Sequence, residues 1–273
     1  MSKVILITGA SSGMGKEAAI KLIKEGHIVY PVARRIEQMQ DLKAIGGFPM
    51  KMDVCNGSEI QNVVDFIIQK EGKIDVLWNN AGYGIGGSVE DTPIEEARNV
   101  FEVNNFGLAL VTQKVVPFMR KAKSGTIINT SSMGGKVYTP MGSWYHASKH
   151  ALEGFSDCLR LELNQFNIKV VILEPGFIET EFADVALESI IRVSGKGAYS
   201  KVVDKLVVAS KEMYEKGGAS KPSVIADTIS KIVAAKNPKT RYRVGKYAKP
   251  MVWMRTYLGD NIFDKIMLQQ IKP

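Results

Sequence analysis

Val4-Ile5-Leu6-Ile7-Thr8-Gly9-Ala10-Ser11-Ser12-Gly13-Met14-Gly15 stands almost at the start of the chain. Four consecutive aliphatic residues read as a strand covered on both faces, because a half-exposed strand would alternate. The glycines that follow permit a tight turn and let backbone N–H groups approach an anion closely. A helical pattern begins directly afterwards, so its positive N-terminal end points at the same place. The expected use is a pyrophosphate cradle; the alternative is plain chain reversal. The spacing is G-x-x-x-G-x-G, unlike the G-x-G-x-x-G of the commonest dinucleotide fingerprint.

Working outward, six more strand patterns fall at 28–33, 48–54, 74–79, 125–131, 169–174 and 241–245. Helical patterns lie between them near 14–26, 35–45, 58–71, 93–121, 143–166 and 223–236. This alternation implies parallel pairing through right-handed crossovers. The expected fold is a doubly wound parallel α/β sheet in one domain, residues 1–273. Residues 177–222 interrupt the pattern with Gly195, Gly197, Gly217, Gly218, many lysines and no strand. An insertion of that length in a compact domain is usually functional, and it is read as a mobile substrate lid. A C-terminal extension near 247–273 carries Met251, Trp253, Met254, Tyr257, Leu258, Ile262, Phe263, Ile266 and Met267. These suit core packing first, then a rim to the substrate site or a subunit contact.

Composition narrows the class. The chain has 273 residues, 45% hydrophobic and 23% charged, which is an ordinary globular mix. Cys55 and Cys158 are its only cysteines, too few for a disulfide framework and suited to a reducing compartment as buried thiols. No apolar run approaches bilayer length, and the N-terminal run is too short for a signal peptide, so a cytoplasmic location is expected. The net charge of +8 is concentrated: residues 192–273 carry 17 Lys/Arg against 6 Asp/Glu. This reads as a solvated basic face. Peripheral contact with a membrane surface stays open, and no nucleic-acid-binding signature accompanies the charge.

The position after the second strand selects between dinucleotides. A carboxylate there would bond a ribose 2′-hydroxyl and repel a 2′-phosphate. This chain has Ala33-Arg34-Arg35, and guanidinium groups offer charge-assisted bonds to phosphate. NADP is therefore expected over NAD, with Arg34 as main ligand and Arg35 as helper.

Tyr145-His146-Ala147-Ser148-Lys149 sits in a helical stretch, so the phenol and the ammonium share one face. Reducing a ketone needs a proton donor to the developing alkoxide, and oxidation needs the reverse. A free phenol has a pKa of about 10. A nearby ammonium and a cationic nicotinamide are expected to lower it. His27, His146 and His150 are expected to pack or face solvent, and no metal-ligand spacing appears.

In its ordered motifs the chain resembles the short-chain dehydrogenase/reductase family over essentially its full length. These are the turn Thr8 to Gly15; Asp53-Val54; Asn79-Asn80-Ala81-Gly82; Asn104-Asn105-Phe106-Gly107; Ser131-Ser132-Met133-Gly134; Tyr145 to Lys149; and Pro175-Gly176-Phe177-Ile178-Glu179-Thr180. The resemblance implies a Rossmann fold and an oxidoreductase acting on a carbonyl or secondary alcohol. It implies Ser132 as the donor to the substrate oxygen, with Ser131 the competing choice. Asn104, with Asn105 as competitor, would anchor a water in a proton relay through Lys149. The turn residues Gly9, Ser11, Ser12, Gly13, Met14 and Gly15 would bind the cofactor. So would Asp53 and Val54 at adenine, Asn80, Ala81 and Gly82 beside the ribose, and Pro175, Gly176, Ile178 and Thr180 at the nicotinamide. Met14 departs from the Ile or Leu usual there, with similar volume. Within the family, Ala33-Arg34, the lid and the apolar C-terminal stretch look like the branch containing 17β-hydroxysteroid and retinol dehydrogenases, implying a hydrophobic substrate. Homodimers or homotetramers built on the long helices are implied too. The competing class is an NADP-binding sensor or scaffold that has lost turnover.

Overall fold

The computed structural model describes residues 1–269 and 271. Seven parallel strands form one sheet in the order β3-β2-β1-β4-β5-β6-β7. They are β1 (Val4–Thr8), β2 (Ile28–Ala33), β3 (Met50–Lys51), β4 (Val76–Asn79), β5 (Gly125–Thr130), β6 (Ile168–Pro175) and β7 (Arg241–Val244). The helices are α1 (Gly13–Lys24), α2 (Gln40–Ala44), α3 (Gly57–Glu71), α4 (Ile94–Phe101), α5 (Leu108–Ala122), α6 (Ser143–Asn164), α7 (Glu181–Ser194), α8 (Ser200–Glu215), α9 (Ser223–Ala234) and α10 (Ala248–Gln269).

Both sheet faces are covered, as the apolar strands require. On one side Ala18, Ala19 and Leu22 of α1 and Ile225, Ile229 and Ile232 of α9 pack on Ile5, Ile7 and Trp78. On the other, Val63 and Ile67 of α3, Val111 and Val115 of α5 and Leu159 of α6 pack on Leu6, Leu77 and Ile127. Trp78 is fully buried, and its indole N–H donates to Thr130 Oγ1 at 2.8 Å. Leaving that donor unpaired would cost about 1–3 kcal/mol. Strand order reverses between β1 and β4, and a doubly wound sheet binds its ligand in the crevice at that point.

Several expectations need correction. The third strand shrinks to Met50–Lys51 at the sheet edge, because Pro49 lacks a donor and Asp53 turns the chain by accepting Cys55 N–H at 2.9 Å. The long helix at 93–121 is three pieces: a π-helical segment, Glu102–Gly107, separates α4 from α5. The insertion at 177–222 is largely helical, holding α7 and α8. Cys55 and Cys158 are exposed rather than buried: each falls on the solvent side of its turn or helix. The basic excess is not all free in solvent, since Arg241 and the exposed Arg243 of β7 pair with the buried carboxylates of Glu153 and Glu174.

The C-terminal helix α10 is kinked at Gly259 (φ 72°, ψ 178°). Val252, Phe263 and Met267 enter a satellite core with Met133 and Val137, while Trp253, Tyr257 and Ile262 stay exposed. Residues 270, 272 and 273 of the expected extension lie outside the described residues. No described helix is long and apolar enough to cross a membrane.

Candidate active site

The glycine turn is tied to the end of β4. Thr8 Oγ1 accepts the N–H groups of Asn80 and Ala81, each at 3.0 Å. Asn80 Nδ2 donates to Thr8 O and Gly9 O at 3.2 and 3.0 Å. Gly9 has φ +66°, and a Cβ there would lie 2.7 Å from Ala81 Cα, so both backbone shape and space demand glycine. A Cβ on Gly15 would lie 2.5 Å from Gly9 O, letting α1 start against the turn. Ser12 is the N-cap residue of α1 but makes no side-chain cap bond, and no acid occupies the first turn. The opening N–H groups of α1 therefore keep their pull on an anion. Ser11 is buried and Met14 packs against the core. Gly13 approaches the Thr180 side chain, where a Cβ would lie 3.2 Å from Cγ2.

The two arginines take different places around the turn. Arg35 Nη2 lies over the turn, 3.4 Å from Ser11 Oγ and 3.5 Å from Ser12 Oγ, and 3.7 Å from Glu181. Arg34 is exposed and acts on the Cys55 thiol and Tyr83 phenol, opposing the burial that pushes both upward. Val54 is buried and packs at Gly107, and Asp53 N–H donates to Glu59 Oε2 at 2.7 Å.

Ser132 ends the run from β5 as an N-cap; its Oγ accepts Gly134 N–H at 3.0 Å. Tyr145 and Lys149 stand one turn apart on α6. Lys149 is buried, and its Nζ donates to Thr130 O at 3.0 Å. Burial pushes the Tyr145 phenol up to about 12, with the Ser132 hydroxyl acting in the opposite direction. The Lys149 ammonium is directed at the Thr130 carbonyl. Burial also brings Lys149 down to about 8, opposed by the Glu153 charge.

Asn104 lies in the π-helical segment and is fully engaged. Its Oδ1 accepts Tyr83 N–H at 3.1 Å, and its Nδ2 donates to Tyr83 O and Ser148 Oγ at 3.0 and 3.1 Å. A Cβ on Gly82 would meet Asn104 Oδ1 at 2.9 Å and Lys149 Nζ at 3.6 Å. These three residues therefore converge. Asn105 instead donates to Ser148 O at 2.9 Å. His146 lies in the packing between Gly134 O at 2.9 Å and Thr139 N–H at 3.1 Å, and burial pushes it down. His150 is exposed and His27 Nδ1 accepts Lys3 N–H at 3.2 Å.

Over the site lies α7. Phe182 rests on Tyr145 with ring centroids 5.4 Å apart, and its Cζ would be 2.7 Å from a Cβ on Gly84. Ser189 Oγ donates to Gly86 O at 3.1 Å, and Ser194 Oγ accepts Ser88 N–H at 2.9 Å. Phe182 was not legible beforehand, since nothing in its spacing shows that α7 returns over Tyr145. Before α7, Gly176 fits closely under Lys246 O. Ile178 is buried and bridges Ser220, and Thr180 precedes the helix as its N-cap residue. A cleft of about 470 Å³ lies between the 87–90 loop, residues 140–143 and α8, lined by Val89, Pro140, Met141 and Tyr199 together with Ser88 and Glu90; Ser132, Tyr145 and Lys149 are not among its walls.

Comparison with known proteins gives the family and the fold. The family model described as short chain dehydrogenase matches residues 3–189. A 3-ketodihydrosphingosine reductase from Bacteroides thetaiotaomicron is 40% identical, over 95% of this chain and 94% of that protein. A short-chain dehydrogenase from Streptomyces avermitilis superposes with TM-score 0.79 at 31% identity, covering 97% of each chain. A serine dehydrogenase solved with NADP+ superposes with TM-score 0.77 at 26% identity, covering 89% of this chain and 94% of that one. The chain belongs to the short-chain dehydrogenase family and carries the nucleotide-binding Rossmann fold of an oxidoreductase.

Proposed function

We propose that the chain is an NADP(H)-dependent oxidoreductase acting on a carbonyl or secondary alcohol of a hydrophobic substrate. The carrying observation is the meeting of Ser132, Tyr145 and Lys149 at the carboxyl ends of the strands, beside the glycine turn. The turn fits a dinucleotide: Gly9 and Gly15 let it close tightly against Ala81 and the start of α1, whose first turn holds no acid and makes no side-chain cap bond. Gly9, Ser11, Ser12, Gly13, Met14 and Gly15 would hold the pyrophosphate. Arg34 and Arg35 would hold a 2′-phosphate, which favours NADP over NAD. Asp53 and Val54 would flank adenine, and Asn80, Ala81 and Gly82 its ribose. Pro175, Gly176, Ile178 and Thr180 would meet the nicotinamide amide.

When bound, the nicotinamide supplies or accepts a hydride. Ser132 donates a hydrogen bond to the substrate oxygen, where charge develops. Tyr145 Oη gives that oxygen a proton in reduction and takes one in oxidation. Lys149 holds the nicotinamide ribose. Asn104 braces the backbone at Tyr83 and Gly82 against α6, with the proton relay passing along Lys149. The segment 177–222, built on α7, excludes water as a lid.

The exposed Phe182 ring resting on Tyr145 supports an apolar substrate, and the keto-reductase name of the Bacteroides relative agrees with reduction of a ketone. The unpaired, exposed Cys55 and Cys158 agree with the reducing conditions of cytoplasm. NADPH oxidation measured against long-chain ketones, steroids, retinoids and small ketones, with NADH in parallel, tests this reading. Turnover with NADPH on the larger apolar ketones is expected. Cofactor binding without turnover on any of them would leave a binding protein instead.

A further inference from the structure

Tyr145 and Lys149 occupy successive turns of α6, and the next turn of the same face brings Glu153. The Glu153 side chain is only 4% exposed. Lys136 Nζ and Arg241 Nη2 each lie 3.1 Å from its Oε2, while Oε1 has no hydrogen-bond partner among the described residues. A Cβ on Gly135 would lie 3.0 Å from Glu153 Cγ, so the loop carrying Ser132 packs directly on it. A buried carboxylate is expensive and adds little stability over a well-packed apolar side chain. The proton transfer proposed above makes no use of it.

Lys149 itself has a neutral hydrogen-bond partner, the Thr130 carbonyl. Burial alone drives such a side chain toward the uncharged amine. We propose that Glu153 is a positioning residue whose buried carboxylate, one turn beyond Lys149 and pinned by Lys136 and Arg241, keeps Lys149 an ammonium ion where it meets the cofactor ribose. The proposal rests on the oxidoreductase reading for its purpose, and on the packing of α6 for its substance.

The surrounding charges are arranged to tune that carboxylate. Lys136 reaches it from the loop after β5, and Arg241 from β7. Arg241 also pairs with Asp157 on α6 and with Glu174 on β6, and Arg243 holds Glu174 from the same strand. Asp157 is further paired with Arg160. His146 is held toward its neutral form by burial, and Tyr145 stays a phenol at neutral pH. Glu153 is the charge that acts on Lys149, and it opposes the burial that lowers the amine to about 8.

The test is titration of the Lys149 side chain in the full-length protein. Lysine is labelled with 13C at Cε, and the Lys149 resonance is assigned by its loss in Lys149→Arg. In Glu153→Gln the midpoint is expected about one pH unit lower than in the wild type. Arg241 keeps Asp157 and Glu174 as partners there. In Lys136→Met the midpoint is expected to rise, because the carboxylate is then less neutralised. A merely structural role would destabilise Glu153→Gln without lowering the midpoint. An unmoved midpoint in Glu153→Gln, or a fall in Lys136→Met, overturns the proposal. Should Glu153→Gln not fold, Glu153→Asp decides, since its shorter side chain draws the carboxylate away from Lys149: a lower midpoint supports the proposal and an unmoved one overturns it. The titration needs no turnover, so an inactive wild type would defeat the functional reading and leave this measurement intact. In an active enzyme, the alkaline limb of carbonyl reduction should move with each midpoint.

Discussion

Arg35 places a guanidinium above a turn whose N–H groups already favour an anion. A charge-assisted bond to phosphate contributes about 1.5–3 kcal/mol. Arg35→Glu is therefore expected to weaken NADPH binding about 10–100-fold with little change for NADH, read by calorimetric titration. Equal weakening of both cofactors would remove the 2′-phosphate role. The phenol at Tyr145 sets a pH dependence. Burial raises it to about 12, so oxidation, which needs the phenolate, should keep accelerating as pH rises through the alkaline range. Reduction uses the protonated phenol and should hold until Lys149 loses its proton near 8, then decline. Rate profiles in both directions check the sign, and oxidation that slows with rising pH would contradict it. The pairing of Tyr145 and Lys149 was legible because helical spacing alone places two such groups on one face. Their mutual electrostatics were not, because the lysine points to a carbonyl on β5.

At the scale of elements, strands buried on both faces announced themselves as aliphatic runs, and β1, β2, β4, β5 and β6 lie close to their expected places. The edge strand β3 was overestimated, since an apolar run next to a proline pairs only where the sheet offers a partner. The π-helical segment left no trace in periodicity; it exists because Asn104 bonds sideways to Tyr83 and Ser148. The helices α7 and α8 were hidden by the glycines and lysines around them. The close fit of α7 depends on missing side chains beneath it: a Cβ on Gly86 would lie 2.2 Å from Ile190 Cγ1. Gly86→Ala is expected to lift α7, at a cost of about 1–3 kcal/mol. Faster proteolysis within α7 and α8 and a raised KM for the carbonyl should follow, with NADPH affinity unchanged. Unaltered proteolysis and KM would show that α7 does not close over the site.

For the whole molecule, the parallel order with its reversal between β1 and β4 puts the turn, Asn80 and the end of β5 on one edge. That arrangement was legible, since strand-to-helix alternation leaves few topologies. The use of charge was not: the basic C-terminal third reads as a solvated face, yet Arg241 and Arg243 are spent on buried carboxylates. Phe106 and Leu161, 61% and 73% exposed, leave apolar surface on the α5 and α6 side. We expect a homodimer or homotetramer built there. Sedimentation equilibrium of Phe106→Arg/Leu161→Arg should show smaller species than the wild type; a monomeric wild type would refute the assembly.

The most direct measurement is single-turnover NADPH oxidation with an accepted ketone in the wild type and in Tyr145→Phe. The account predicts a loss of about 10²–10⁴-fold in the hydride-transfer rate, with NADPH affinity unchanged. A variant that transfers hydride at nearly the wild-type rate would contradict the assignment of the phenol as the proton donor.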